Sequence, residues 1–367
     1  MTSQTMTAGV WSAPGRVNLM GEHLDYHGGP VLPIAIDRST TVKARTREDD
    51  RVRVWSAGRG SSVEFAVASA PGDVQGWAGY VAGVVWACRQ SGLDVPGVDV
   101  VVDSDVPVGA GLSSSAALEC AVALAVVDLV GVDLDPIDLA LIGQRAENDY
   151  VGVPCGSMDQ LASACGRQGH ALLIDTGPER PTVETVPAHW VEDGLALVVI
   201  DTRAEHSLAD GEYANRRREC EEAAGLLGID ALAKAGPDAI LRIEDETLKA
   251  RVRHVITETA RTRAATKALR SRAWAQLGTL FTASHLSLRD DYEVSAPELD
   301  IAVDAALEAD ALGARMTGGG FGGSIIALVA AKGVDAVVAR VEKAFADREL
   351  TAPQAFVVAP QDGARRL

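Results

Sequence analysis

The spacing of hydrophobic residues in the first half of the chain changes repeatedly between strand-like and helix-like patterns. Alternating and continuous apolar runs predict strands over residues 51–57, 61–68, 98–107 and 170–176. Recurrence every three or four residues predicts helices over residues 77–90, from residue 113 onward and over about 136–149. The first half is therefore predicted to mix α and β structure.

The second half of the chain shows more helical spacing. It predicts helices over residues 212–228, 251–270, 273–291 and 334–348, and strands over residues 195–202, 324–330 and 355–360. Helices packed on a sheet, an α+β arrangement, are expected from this order. Residues 177–194 combine three prolines with several charges, which indicates a crossing between domains. We expect an N-terminal domain over residues 1–180 and a C-terminal domain over residues 181–367.

Length, composition and charge narrow the class of protein. A chain of 367 residues, 47% of them hydrophobic, can bury two cores. A formal net charge of −17 without a basic stripe argues against nucleic acid or an anionic membrane as the main partner. Five cysteines without CxxC spacing predict reduced thiols. Because no apolar leader is seen and charges interrupt the longest apolar run, we expect a cytoplasmic protein with small-molecule partners.

The densest polar run of the chain is APGRVNLMGEHLDYHGG, residues 13–29, which lies between two apolar flanks. Carboxylates such as Glu22 and Asp25 can accept hydrogen bonds from paired hydroxyls, and Arg16 offers a planar fork for phosphate or carboxylate oxygens. The run therefore predicts a polyol-binding loop. The alternative is a glycine-rich turn whose charges are solvated.

A second glycine-rich run, PVGAGLSSSAALE at residues 107–119, connects a predicted strand to a predicted helix. Its glycines let the backbone approach a ligand closely, and its serines lie where helix N-terminal amides attract an anion. We interpret it as a phosphate-binding loop. No GK[ST] motif or protein-kinase signature occurs. A dinucleotide-binding turn and a serine cap on a buried helix remain as alternatives.

Two further motifs carry candidate chemistry. TGGGFGG, residues 317–323, matches GxGxxG but lies between a helix and a strand, the reverse of the order that dinucleotide binding needs. CGSMDQ, residues 155–160, places Asp159 among small residues, and a nearby guanidinium such as Arg16 would keep this acid ionised. The alternative for Asp159 is a helix N-cap.

The three glycine-rich elements, in this order, resemble those of the GHMP small-molecule kinases, and PGRVNLMGEHLDYHGG narrows the resemblance to the galactokinase family. The resemblance extends from residue 13 to about 362 and includes GEYANRRREC, RMTGGGFGG and QDGAR. It implies an α+β, two-domain GHMP kinase fold with the active site between the domains.

The resemblance also implies roles for individual residues. Asp159 becomes the catalytic carboxylate and Arg16 its charged partner. The implied sugar-binding residues are Glu22, His23, Asp25, Gly156 and Tyr213. The implied nucleotide-binding residues are Gly109, Gly111, Leu112, Ser113, Ser114 and Ser115, with Trp77 and Tyr80 on the adenine side. The implied magnesium ligands are Ser115 and Glu147.

The implied reaction is transfer of phosphate from ATP, with Mg²⁺, to the anomeric hydroxyl of D-galactose, by a monomer or weak oligomer. Three alternatives remain: a kinase for N-acetylgalactosamine, galacturonate or arabinose, a catalytically inactive sugar sensor, and a nucleotide-dependent oxidoreductase. Four positions depart from the family pattern: Leu24, His27, Ser157 and Ser324. We expect them to affect sugar tolerance more than reaction type.

Overall fold

The computed structural model describes residues 7–204 and 209–367. In chain order the strands are β1 (Ala8–Asn18), β2 (Pro30–Val31), β3 (Pro33–Thr46), β4 (Arg51–Ser56), β5 (Ser61–Ala66), β6 (Val98–Ser104), β7 (His170–Asp175), β8 (Thr182–Pro187), β9 (Leu195–Asp201), β10 (Gly313–Thr317), β11 (Ser324–Ala330), β12 (Gln354–Val358) and β13 (Arg365–Arg366). The α-helices are α1 (Trp77–Gln90), α2 (Ser114–Leu129), α3 (Pro136–Arg145), α4 (Met158–Cys165), α5 (Ala209–Leu227), α6 (Ala239–Arg242), α7 (Glu246–Arg270), α8 (Trp274–Asp290), α9 (Pro297–Glu308) and α10 (Val334–Ala346).

The strands of the described chain form three sheets. The largest has six strands in the order β13-β1-β3-β6-β4-β5, and only β4 and β6 pair in parallel. A four-stranded antiparallel sheet has the order β10-β11-β9-β12, and a three-stranded one the order β2-β7-β8. Helix α2 packs against β1 and β3 of the largest sheet. Most of α2 is buried because sheet and helices surround it, so its sequence is apolar on nearly every side.

Strand β1 brings Arg16 next to the loop that precedes α2. A Cβ on Gly15 would lie 2.7 Å from the carbonyl oxygen of Leu112, so only glycine allows this approach. The backbone amide of Arg16 donates to the same oxygen at 3.1 Å. The polar run at residues 13–29 is therefore only partly a loop, since its first residues belong to a strand.

Most predicted elements are confirmed within a few residues. The long strands β1 and β3 were anticipated only as apolar flanks of the polar run, and the prediction missed β2, β8, β10, β13, α4, α6 and α9. Strand β8 lies in the segment that we interpreted as a domain crossing because of its prolines. The helix predicted to reach residue 149 ends at Arg145, and a π-helical segment, Ala146–Val151, continues it.

The division into domains 1–180 and 181–367 stays a prediction. Around residue 180 the chain forms one antiparallel hairpin, in which Asp175 of β7 pairs with Thr182 of β8. Strand β13, at the other end of the chain, pairs with β1. The largest sheet thus contains residues from both sides of the predicted boundary.

All five cysteines are free, as the sequence predicted. Across the described ranges, no helix is long and apolar enough to cross a membrane. The cytoplasmic location and the monomeric or weakly oligomeric state remain predictions.

Candidate active site

A cavity of about 460 Å³ opens where four chain segments meet. They are β1 with its following loop, residues 152–159, the beginning of α5, and Gly318 with Gly319. Every residue predicted as catalytic or sugar-binding lines it: Arg16, Glu22, His23, Asp25, Gly156, Asp159 and Tyr213. The fold thus brings the residues of the separate sequence motifs together in one cavity.

Arg16 and Asp159 form a two-pronged ion pair at one end of the cavity. Nε and Nη2 of Arg16 each donate to an oxygen of Asp159 at 2.8 Å. The Ser113 hydroxyl also donates to Asp159 Oδ2, at 2.5 Å. Asp159 lies in the first turn of α4, whereas Ser157 occupies the N-cap position, so the N-cap alternative for Asp159 is wrong.

The predicted phosphate loop adjoins this ion pair. Gly109, Gly111 and Ser113 have positive φ angles of 79°, 74° and 58°. Such a backbone suits glycine and strains serine, and α2 begins directly after it. The Gly111 carbonyl accepts from Arg16 Nη1 at 2.6 Å. Since the first amides of a helix have no partner within it, this geometry favours an anion near Asp159.

The residues predicted to bind nucleotide lie outside the cavity lining: Gly109, Gly111, Leu112, Ser113, Ser114, Ser115, Trp77 and Tyr80. Leu112 is buried, so its backbone is the part that can face a ligand. Trp77 and Tyr80 lie in the first turn of α1. The structure therefore brings the loop to the Arg16–Asp159 pair but leaves the adenine-side prediction open.

Glu147 lies in the π-helical segment, next to the phosphate loop. Its Oε2 accepts from Gln160 Nε2 at 2.7 Å, and the Ser115 hydroxyl hydrogen-bonds to its carboxylate. Burial, with the negative charge of Asp159, raises the pKa of Glu147 to about 7. The Glu147 carbonyl accepts from the amides of Gly152 and Val153 at 3.0 and 3.1 Å, which fixes the chain entering the cavity wall.

The pair Ser115 and Glu147 offers the hard oxygen donors that Mg²⁺ prefers. Within residues 7–204 and 209–367 no group of three or more His, Cys, Asp or Glu side chains could hold a metal ion. A site with two protein oxygens fits Mg²⁺ that takes its other ligands from phosphates and water.

Asp25 lies against Gly156 in the cavity wall. A Cβ on Gly156 would lie 1.9 Å from Asp25 Oδ2, so Gly156 makes room for this carboxylate. Burial raises the pKa of Asp25 to about 6, and the charge of Asp159 adds to the shift, while a hydrogen bond from the Met158 backbone opposes it.

Glu22 is 1% exposed and almost surrounded by donors. Its Oε2 accepts from Asn18 Nδ2 at 2.8 Å and pairs with Arg315 Nη2 at 2.5 Å, and its Oε1 accepts from the Gly318 amide at 3.2 Å. Burial raises the pKa of Glu22 to about 7, although Arg315 pulls it down.

His23 and aromatic residues form the remaining wall. His23 has a positive φ of 63°, its Nε2 lies 3.2 Å from the Gly319 carbonyl oxygen, and its Nδ1 lies 2.6 Å from the Tyr26 hydroxyl. Burial lowers the pKa of His23 well below its usual value, so the ring is neutral and donates Nε2–H to Gly319. The Tyr213 ring lies 5.4 Å from the His23 ring and completes this wall.

The four departures from the family pattern lie outside the cavity lining. Leu24 is in the hydrophobic core, and His27 Nε2 contacts the Tyr292 hydroxyl at 3.3 Å. Ser157 precedes α4, and Ser324 donates to the Ala110 carbonyl at 2.7 Å. Their positions support the expectation that they flank the sugar contacts.

Sequence reasoning missed several residues that support the site. Gln160 Nε2 donates to Glu147 and also to buried Glu119 at 2.9 Å. Arg315 is fully buried behind Glu22. Gln160 and Arg315 occur in two of the motifs, CGSMDQ and RMTGGGFGG, which was the available signal. Their partners are distant in sequence, so the contacts could not be read from spacing.

Three family models match the chain. The model described as the GHMP kinases N terminal domain matches residues 79–167, and that described as GHMP kinases C terminal matches residues 265–347. The model described as the galactokinase galactose-binding signature matches residues 2–46, which contain the polar run of β1 and its loop.

Similar proteins and structures agree with these matches. A galactokinase from Streptomyces coelicolor is 49% identical over 366 residues, covering 98% of this chain and 94% of that protein. One from Chloroflexus aurantiacus is 45% identical, covering 92% and 87%. The crystal structure of Lactococcus lactis galactokinase complexed with galactose has a TM-score of 0.91 and 34% identity, covering 100% of this chain and 97% of that one. Mevalonate kinase from Methanococcus jannaschii, with a TM-score of 0.68 and 18% identity, shares the fold alone.

The matched regions include the polar run at residues 13–29, the glycine-rich run at residues 107–119 and the glycine-rich run at residues 317–323, and the relatives cover nearly the whole chain. The predicted α+β GHMP kinase fold is thereby confirmed. The chain belongs to the galactokinase family of the GHMP kinases.

Proposed function

We propose that the chain transfers the γ-phosphoryl group of ATP to the anomeric hydroxyl of D-galactose, giving α-D-galactose 1-phosphate and ADP. The observation that carries this proposal is the position of Asp159. It lines the sugar cavity and also accepts from Ser113, the last residue before α2. One carboxylate therefore adjoins both the polyol side and the anion side of the site.

On the sugar side, Asp25 and Glu22 accept hydrogen bonds from hydroxyl groups, and Tyr213 with His23 forms the wall against the sugar ring. Gly156 leaves space for the Asp25 carboxylate. Carboxylates suit this role because each oxygen accepts more than one hydrogen bond.

At the reacting end, Asp159 accepts the hydrogen bond of the anomeric hydroxyl and aims its oxygen at the γ-phosphorus. Arg16 offsets negative charge that would otherwise accumulate between carboxylate and phosphate. Phosphoryl transfer passes through a loose transition state, so catalysis consists mainly of positioning and charge stabilisation. Three donors on Asp159 hold it in one orientation, which serves the positioning.

On the nucleotide side, residues 109–115 and the N-terminus of α2 bind the phosphates, and Trp77 with Tyr80 lies toward the adenine. Ser115 and Glu147 hold Mg²⁺. When bound, the ion neutralises phosphate charge. Support comes from the anion-favouring backbone of the loop and from the paired hard oxygen donors.

The test is an ADP-release assay with ATP, Mg²⁺ and a panel of galactose, glucose, N-acetylgalactosamine, galacturonate and arabinose. We expect galactose to give the highest kcat/KM, with on the order of a thousandfold discrimination against glucose. If the wrong epimer bound, buried polar groups of the site would be left unpaired, so its binding is disfavoured. Higher kcat/KM for another sugar would reassign the substrate. ADP release that no sugar stimulates would refute the sugar-kinase proposal.

A further inference from the structure

A cluster of four charged side chains lies directly behind the sugar cavity: Glu22, Glu258, Arg261 and Arg315. Glu22, Glu258 and Arg315 are 1%, 0% and 0% exposed, and Arg261 is 15% exposed. Arg315 Nη2 lies 2.5 Å from Glu22 and 3.9 Å from Glu258, and Arg261 Nε lies 2.6 Å from Glu258. We call this set the buried ion cluster.

The buried ion cluster joins distant elements to the sugar loop. Arg315 lies on β10, and Glu258 lies on α7. Glu258 Oε1 accepts from the Gly21 amide at 2.9 Å, and Arg315 Nη1 donates to the Asn18 carbonyl at 3.3 Å. Both ends of the turn that leads to Glu22 are therefore held by the cluster.

Within the cluster, only Glu22 lines the cavity. A carboxylate has about four acceptor positions. On Oε2, Asn18 Nδ2 donates one hydrogen bond and Arg315 Nη2 forms an ion pair at 2.5 Å, and on Oε1 the Gly318 amide donates one hydrogen bond. One position on Oε1 remains for a ligand, and its direction depends on the groups that fix the other three.

We propose that Arg315 and Glu258 are positioning residues for sugar binding, which together fix the orientation of Glu22 and balance its charge. The proposal rests on the proposed function, since it assigns Glu22 to a sugar hydroxyl. Neither residue touches the cavity, so both act through Glu22. A buried charge whose partner is removed is strongly destabilised, and this gives each residue a large effect at a distance.

The two residues act on the Glu22 charge in opposite senses. Arg315 favours the ionised carboxylate, whereas the negative charge of Glu258 disfavours it. Although burial opposes ionisation, Arg261 and Arg315 lower the pKa of Glu258 to about 2, so its charge persists at neutral pH.

Other polar groups also face Glu22. His254 of α7 contacts its backbone carbonyl at 3.3 Å, and burial lowers the pKa of His254 to about 4, so this ring is neutral near pH 7. Neighbouring His23 is neutral as well. Asn18 of β1 and the Gly318 amide complete the surroundings and carry no charge. Arg315 and Glu258 are therefore the charges to vary.

The experiment measures galactose affinity by calorimetry between pH 5.5 and 9 for the wild type, Arg315→Gln, Arg315→Lys and Glu258→Gln. Loss of Arg315 should raise the pH midpoint of binding by about one unit or more, which lowers affinity at pH 7 about fivefold or more, because Glu22 already titrates near this pH. Binding should recover at pH 9. Arg315→Lys keeps the charge and should keep a midpoint near that of the wild type. Glu258→Gln should move the midpoint downward.

The opposite directions distinguish positioning from a merely structural role. If both glutamine variants lose affinity equally at every pH, or if neither midpoint moves, the inference is wrong. Asp25 titrates near the same range, but it is unchanged in all variants and contributes the same background. Should Arg315→Gln fail to fold, the downward shift expected of the isosteric Glu258→Gln still tests the inference, and an unmoved midpoint in that variant would refute it.

Arg251 provides a matched control. It is 2% exposed on α7 and pairs with Glu219 and Glu293 at 2.6 Å, away from the cavity lining. Arg251→Gln should lower thermal stability without moving the pH midpoint of galactose binding. If wild type binds no galactose, the proposed function fails; if wild type binds and the Arg315 variants bind identically, only this inference fails.

Discussion

Two arginine–carboxylate pairs border the same cavity, and they differ in where the cation lies. In Arg16–Asp159 both side chains line the cavity, with 6% and 29% of their surfaces exposed. In Arg315–Glu22 only the carboxylate reaches the lining, and the arginine is fully buried behind it. The same chemical pair can thus present both side chains to the cavity, or present only the carboxylate while the arginine supports it from the protein interior.

The largest expected difference between the roles of the two pairs follows from neutralising the carboxylate of each pair in turn. Asp159→Asn should lower kcat by about two to four orders of magnitude while galactose still binds, because a group acting on the reacting atom affects mainly the transition state. Glu22→Gln should instead raise KM and leave kcat largely intact. Steady-state kinetics with calorimetric binding checks both. Near-native kcat in Asp159→Asn would contradict its assignment.

The position of Asp25 in the cavity can also be disturbed without changing any charge. Gly156→Ala places a methyl group against the Asp25 carboxylate, which must then move. We expect galactose kcat/KM to fall about a hundredfold, the effect of a displacement near 1 Å in a site. Gly225→Ala, on α5 with open space around its Cβ, is the control and should leave kinetics unchanged. Equal kinetics for the two variants would mean that Asp25 has room to move.

A smaller effect is expected from removing the Ser113 hydroxyl, the third hydrogen-bond donor to Asp159. Ser113→Ala removes one hydrogen bond to a charged group and should reduce kcat roughly tenfold. Because Ser113 has a positive φ, which glycine adopts without strain, Ser113→Gly distinguishes the effect of the lost hydroxyl from the effect of backbone strain. If Ser113→Gly restores activity, the deficit of the alanine variant came from the backbone.

The smallest effect concerns acid pH. Glu22, Asp25 and Glu147 have pKa values raised to about 7, 6 and 7, so on lowering the pH from 7 to 5 they take up protons in the folded chain. Burial also lowers the pKa values of three histidines, which therefore take up protons in this window only on unfolding, with the opposite effect on stability: His23, His27 and His254. The Tm of the ligand-free protein should therefore change little between pH 7 and 5, while galactose affinity falls. Differential scanning calorimetry and binding isotherms check the two trends. A galactose affinity that stays constant over this window would show that Glu22 and Asp25 remain ionised.

Part of this site was predictable from the sequence because its residues stand in short runs of special composition. Arg16, Glu22 and Asp25 share one run, and Asp159 stands in a second. Apolar spacing likewise predicted β9 and β11, whose residues are nearly all buried. Local pattern is sufficient where burial and hydrogen bonding involve near neighbours.

The remainder depends on contacts that composition does not encode. Strand β10, GARMT, carries an arginine at its centre, so it does not read as a buried strand, although all five residues are buried. That arginine is tolerated only because Glu22 and Glu258 approach from elsewhere in the chain. The hydrogen bond from Ser113 to Asp159 likewise depends on how α2 and α4 pack.

The π-helical segment Ala146–Val151 has a consequence for insertions and deletions. Its hydrogen bonds run from residue i to i+5 instead of i+4, and this wider turn lets the Glu147 carbonyl accept from the amides of both Gly152 and Val153. Deleting one residue here would yield a regular α-helix, yet rotate the downstream residues by about 100° relative to Glu147. A one-residue deletion that regularises the helix would thus turn Glu147 away from the cavity wall that follows it in the chain.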